Sequence, residues 1–114
     1  MNKFDLEERT AKFGVNIIRF CKTASITVIT KPIINQLIRS STGIGANYME
    51  ANGADSKKDF RNKISICKKE AKETMHWLRM IAEADPNLVD KSRLLWKEAH
   101  ELSLIFGAIN KKLF

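Results

Sequence analysis

The sequence predicts an all-α chain, an antiparallel up-down-up-down four-helix bundle. Only two prolines and five glycines occur in 114 residues. Apolar residues recur at intervals of three and four, the period of one helix face, and not at two. Four such segments follow one another with short joints, and short joints force neighbouring helices to run antiparallel. The competing architecture is a swapped or intertwined helical oligomer; no sheet is expected in either.

Helix one should run from about Asp5 to about Cys21, with Asp5 as the candidate cap and Leu6, Phe13, Ile17, Phe20 and Cys21 on its inner stripe. The segment from Thr23 to Thr30 is β-branched and could pass for a strand, but a lone strand among helices has nothing to pair with. It reads as a connector with a frayed helical end. Thr30-Lys31-Pro32 opens helix two, because a first-turn proline gives up an amide hydrogen that lacks an intrahelical partner anyway. Helix two should stop near Ala51-Asn52-Gly53, where Asn and Gly favour a left-handed residue. Ser56-Lys57-Lys58-Asp59 resembles a capping box with Asp in place of Glu, opening a long third helix that ends before Asp85-Pro86. Helix four should run from about Val89 to the C-terminus. Its signal is Leu88, Leu95, Leu102 and Ile109 spaced by sevens, with Leu94, Ala99, Ile105 and Phe106 around that line.

The length fits one domain, residues 1–114, with one continuous core. No apolar run approaches the roughly 20 residues that span a bilayer, and the N-terminal residues alternate charge where a signal peptide would be apolar, so a cytoplasmic protein is expected. Cys21 and Cys67 stand far apart without a Cys-x-x-Cys partner, which excludes a zinc ribbon and favours buried, reduced thiols. Lys and Arg outnumber Asp and Glu by 20 to 13, a formal charge of +7 that attracts acidic partners without naming one.

The stretch Ser40-Ser41-Thr42-Gly43-Ile44-Gly45-Ala46-Asn47-Tyr48-Met49-Glu50 could suggest a phosphate cradle. Such a loop needs glycines in a turn between a strand and a helix, and here no strand precedes it and no lysine stands in place. On a wheel of about 100° per residue, Ile33, Ile34, Leu37, Ile38, Ile44, Tyr48 and Met49 share one broad face, with Ser41 and Gly45 inside it. Ser41 and Gly45 then form a packing notch that lets another helix approach. Gly43 points away, and with Gln36, Ser40 and Asn47 it marks a second, flatter contact surface for another subunit. Two glycines in one helix cost about 1 kcal/mol each and call for such contacts.

On helix three, Lys57, Lys58, Arg61, Lys68, Lys69 and Lys72 fall within an arc of roughly 120° beside the core stripe of Phe60, Ile64, Cys67, Ala71 and Leu78. No acidic residue interrupts it; Asp59, Glu70 and Glu73 lie elsewhere on the wheel. A lysine-rich arc is either a solvated face or the footprint of a phosphate backbone, and contacts of the second kind bind RNA or DNA without reading sequence. Ile66, Trp77, Trp96 and Leu104 lie away from the core stripes, a surplus of large apolar groups that an oligomer interface would absorb. Glu73-Thr74-Met75-His76 matches one Glu-x-x-His element of a di-iron bundle, but no second element exists, so neither a metal nor another cofactor is expected. No nucleophile turn or acid pair singles out a catalytic set, and no enzyme is expected.

Several polar positions carry a family resemblance: Arg39-Ser40-Ser41, Gly43 to Gly45, Ala46-Asn47 with Glu50-Ala51, Ser56 with Asp59-Phe60, and Lys69-Glu70-Ala71 through Glu73-Thr74 to Trp77-Leu78. This pattern resembles the central two helices of the 23S ribosomal RNA intervening-sequence proteins, and the likeness extends over nearly the whole chain. The resemblance implies a left-handed antiparallel four-helix bundle assembled as a ring-shaped homopentamer, with no catalytic residues to transfer. The chain is also similar to the accessory proteins of diversity-generating retroelements, basic pentameric bundles that bind nucleic acid and a reverse transcriptase. Two functions from different classes are therefore expected to compete: a non-catalytic oligomer that binds nucleic acid, and a scaffold for an unidentified protein partner. A carboxylate-bridged metal site at Glu70, Glu73 and His76 is the remote third.

Overall fold

The computed structural model describes residues 2–112. It contains α1 (Lys3–Lys22), α2 (Thr30–Asn52), α3 (Lys57–Ala84) and α4 (Val89–Lys112), with one 3-10 turn, Pro86–Leu88, joining the last two. The last two residues of the expected fourth helix, 113 and 114, lie outside the described residues.

The helix ends show why these segments begin and stop where they do. Asn2, and not Asp5, caps α1: its Oδ1 accepts from the backbone N–H groups of Phe4 at 2.9 Å and Asp5 at 3.0 Å. The Asp5 carboxylate in turn accepts from the Asn2 N–H at 3.2 Å, so Asp5 is the third-position partner of a capping box. The connector closes by a reciprocal threonine pair. Thr27 Oγ1 accepts from the Thr30 N–H at 3.0 Å, while the Thr27 N–H donates to Thr30 Oγ1 at 2.8 Å. Thr27 Oγ1 also accepts from the Ile29 N–H at 3.2 Å and the Thr27 carbonyl from the Lys31 N–H at 3.0 Å, which satisfies the first donors of α2 although Ile29 at the cap position offers no side-chain acceptor; Thr30 Oγ1 donates onward to the Ser25 carbonyl at 2.6 Å. At the other end Gly53 has φ −98°, so the expected left-handed stop is absent. Its N–H reaches the carbonyls of Glu50 at 3.1 Å and Met49 at 3.3 Å, and that tightened last turn needs no reversal of φ. Ser56 Oγ accepts from the Asp59 N–H at 3.0 Å to open α3, and Asp85-Pro86 closes it.

Pairs across the helices fix their directions. Glu50 meets Lys63, Ile44 meets Cys67 and Ser40 meets Thr74, so α2 and α3 are antiparallel. Ser92 Oγ donates to the Leu78 carbonyl at 2.6 Å and Asn110 reaches Ser65, so α3 and α4 are antiparallel as well. Asn52 reaches Glu7 while Gly45 lies beside Thr10, giving the same relation for α1 and α2. The result is an up-down-up-down bundle of 44 × 21 × 21 Å, its long dimension matching roughly 42 Å for the 28 residues of α3. The helices pack in chain order, and α1 meets α4 far more sparsely than it meets α2.

The core contains Leu6, Phe13, Ile17, Phe20 and Cys21 from α1, as expected, and Leu88, Ala99, Leu102 and Phe106 from the α4 side. Leu95, Ile105 and Ile109 pack against it half-buried. Two expected core residues lie outside: Leu94 is 66% exposed and Met49 is 67% exposed. Both sit at the edge of an apolar arc, and where a neighbouring helix stands, not the arc's width, decides which edge is covered. Both cysteines are free and buried, and burial pushes the Cys21 thiol up to about 11 and the Cys67 thiol up to about 12. No helix among the described residues is long and apolar enough to cross a membrane.

Candidate nucleic-acid interface

The small residues of α2 serve two neighbours at once. A Cβ on Gly45 would sit 3.3 Å from Thr10 Oγ1 and 3.6 Å from the Ala11 nitrogen, so Gly45 is the notch for α1. Gly14 answers it from the other helix, its hypothetical Cβ being 3.6 Å from Thr42 Cγ2 and 4.0 Å from the Ser41 carbonyl oxygen. Ser41 is fully buried and returns its hydroxyl to the Ile38 carbonyl at 3.2 Å.

The edge formed by Ser40, Gly43 and Asn47, expected as a second helix-packing or subunit contact, takes part in the contact with α3. The Glu70 carboxylate occupies the space that a Gly43 side chain would need. The fully buried Thr74 hydroxyl donates to the Glu70 carbonyl at 2.8 Å and lies 2.9 Å from Ser40 Oγ. Asn47 donates to the Gly43 carbonyl at 2.8 Å, bracing the glycine turn. Arg39 closes the outer side, pairing with both Glu70 and Glu73, and the Trp77 indole N–H donates to Glu73 at 3.1 Å. Many polar positions of the family pattern thus form one seam between α2 and α3.

That seam accounts for the Glu-x-x-His element. Glu73 is held by Arg39 and Trp77 on the outside of the bundle, and His76 is exposed with its ring 4.8 Å from that of Trp77. The buried residue of the four is Thr74. Among the described residues no group of three or more His, Cys, Asp or Glu is arranged to hold a metal ion.

Three further acids are ion-paired away from the basic arc. Glu98 and Glu101 clasp Arg9 across α4 and α1 at 2.7 and 3.0 Å, and these hydrogen bonds, Glu98 foremost, raise the guanidinium pKa. Glu50 pairs with Lys63 at 3.1 Å. Lys57, Lys58, Lys69 and Lys72 are exposed and Lys68 is half-buried, and none of these five forms an ion pair with a described carboxylate. Arg61 is half-buried, and its carbonyl accepts from Asn110 at 3.3 Å. The arc borders α4, for Asn110 also donates to Ser65 at 2.7 Å and Lys68 lies over Gly107, where a Cβ would stand 3.6 Å from its Nζ. Gly107 and Asn110 are thus part of this face, a role their own helix does not reveal.

Of the apolar residues expected at a helix-packing or oligomer interface, Trp77 and Trp96 pack half-buried against their own core. Ile66 and Leu104 stay outside, at 37% and 60% exposure. Trp96 also lines a groove between α3 and α4, at the end nearer the 3-10 turn, with Arg79 and Arg93. Neither arginine was singled out by sequence, because they lie on different helices and meet only once the register of Ser92 on Leu78 is set.

No curated protein matches this chain. A solved structure from Bacteroides thetaiotaomicron, described as a protein of unknown function from the S23 ribosomal protein family, is similar at 28% identity. The likeness covers 92% of this chain and 97% of that one, with a TM-score of 0.79. The family model of the 23S rRNA-intervening sequence proteins matches residues 2–108. With the polar seam accounting for the pattern and the match spanning all four helices, the chain belongs to the 23S rRNA-intervening sequence protein family.

Proposed function

We propose that the protein is a non-catalytic, oligomeric four-helix bundle whose basic face binds RNA or DNA without sequence preference. The observation that carries this reading is charge segregation. Glu50, Glu70, Glu73, Glu98 and Glu101 are consumed by Lys63, Arg39 and Arg9 on other faces, and five lysines of the α3 arc are left uncompensated. A stripe of this kind gains affinity by releasing counterions from a polyphosphate, so binding should fall steeply with salt. The test is duplex or structured RNA titrated against the wild type and against a variant with Lys57, Lys58, Arg61, Lys68, Lys69 and Lys72 all changed to Glu. Loss of binding in the variant supports the face as the site, and unchanged binding rejects it.

Assembly belongs to the same proposal, as a homopentamer on the strength of the resemblance. What supports it in the structure is a shallow groove of about 250 Å³ between α1 and α2, where Val15, Ile18 and Met49 are 43%, 39% and 67% exposed. Mass in solution tests the subunit number. The same apolar surface favours a second reading, a scaffold for a protein partner. That reading predicts a defined protein recovered by pull-down and not released by nuclease.

A further inference from the structure

We propose that the α3–α4 groove at Trp96 takes an unpaired nucleobase, so that the basic face binds single-stranded nucleic acid in preference to duplex. The inference rests on the nucleic-acid reading above and adds to it a base site and a strand preference.

The groove has a volume of about 550 Å³, within the roughly 300–1,000 Å³ of small-molecule clefts. Met80 and Val89 contribute apolar wall, and the half-buried Trp96 offers an indole whose ring centroid is 5.1 Å from that of His100. Arg79 and Arg93 stand on the two helices that form the groove, both exposed and neither ion-paired among the described residues. Glu83 adds one carboxylate to the lining, an acceptor for the ring N–H of thymine or uracil as well as for an exocyclic amine.

Position links this groove to the lysines. Arg79 follows Lys72 by two helical turns, roughly 10.5 Å along α3, and falls on the same arc of the wheel. A phosphate backbone lying along Lys57 to Lys72 therefore continues toward the two guanidinium groups, with the aromatic groove between the helices that carry them. A duplex keeps its bases stacked inside and can use only the charges. A single strand can rotate one base into the groove, where an aromatic ring and a base stack without demanding a particular base.

The test uses the full-length protein and probes of about 12 nucleotides: oligothymidylate, oligouridylate, an abasic deoxyribose-phosphate oligomer, and a duplex. The abasic probe keeps the phosphates and removes every ring. The chain has two tryptophans, so Trp77→Phe leaves Trp96 as the sole reporter. The expected result is quenching of Trp96 by oligothymidylate or oligouridylate, with at least one bound about tenfold more tightly than the abasic probe, and a Trp96→Leu variant that closes this gap. The thymidylate and uridylate arms distinguish a DNA strand from an RNA strand. Equal, salt-sensitive binding of all probes with unchanged Trp96 emission would overturn the base site while leaving the basic-face reading standing. Binding of no probe would overturn both. If Trp96→Leu does not fold, quenching and the abasic comparison decide alone.

Discussion

Replacing Thr74 by Val tests the seam between α2 and α3 most directly. Thr74 and Ser40 are both fully buried, and valine keeps the shape of threonine while removing its hydroxyl. The Ser40 hydroxyl is then left with a single long bond of 3.4 Å to the Leu37 carbonyl. Stranding a buried hydroxyl in this way costs about 1–2 kcal/mol. Ser40→Ala costs less, about 0.5–1 kcal/mol, because Thr74 keeps its 2.8 Å bond to the Glu70 carbonyl. Removing both hydroxyls strands neither, so the double variant should lose about 1 kcal/mol less than the sum of the two singles. Urea unfolding followed by far-ultraviolet circular dichroism measures this, at one protein concentration so that assembly contributes equally. Additivity of the singles to within about 0.3 kcal/mol would refute the coupling across this seam.

The glycines should separate by what their missing side chains would meet. Gly14→Ala places a methyl in ordinary contact with Thr42 at 3.6 Å and should raise stability by about 1 kcal/mol in the same urea assay, whereas Gly45→Ala crowds Thr10 at 3.3 Å and should gain less or lose. Arg39→Met removes the shared ion-pair partner of Glu70 and Glu73 and should cost about 1 kcal/mol in the same assay, less at high salt because the pair is half exposed. The buried thiols hold their protons longer in the folded chain than the ordinary value of about 8.5 allows in the unfolded chain. Their contribution to stability is therefore complete below that value and is lost as pH rises through about 11 to 12. At pH 8 a thiol reagent should label Cys21 and Cys67 only as fast as the protein opens, which a stopped labelling reaction with mass detection checks.

Local chemistry made the helix ends legible in sequence, since caps and breakers act within four residues. Even there the sequence points to Asp5 where Asn2 is the cap, because the two share one motif and only geometry says which of them caps. Apolar periodicity identified most of the core but not its margins. Leu94 and Met49 belong to apolar arcs whose edges no neighbouring helix covers. The basic arc was legible because one helix carries it. Its neighbours Gly107 and Asn110, and the Arg79–Trp96–Arg93 groove, depend on the register between α3 and α4, which no single-helix pattern contains.

The sparse meeting of α1 with α4 bears on how the fold comes apart. Along that side α1 is tied to α4 by Arg9 between Glu98 and Glu101, and it is joined to α2 by a seven-residue segment in which Ile26, Val28 and Ile29 are already exposed. The first cooperative unit to leave is therefore α1, with Arg9 as its latch. Its amides should exchange with deuterium through an opening cheaper than global unfolding, and that opening lays bare Phe13, Ile17 and Phe20 as one greasy strip.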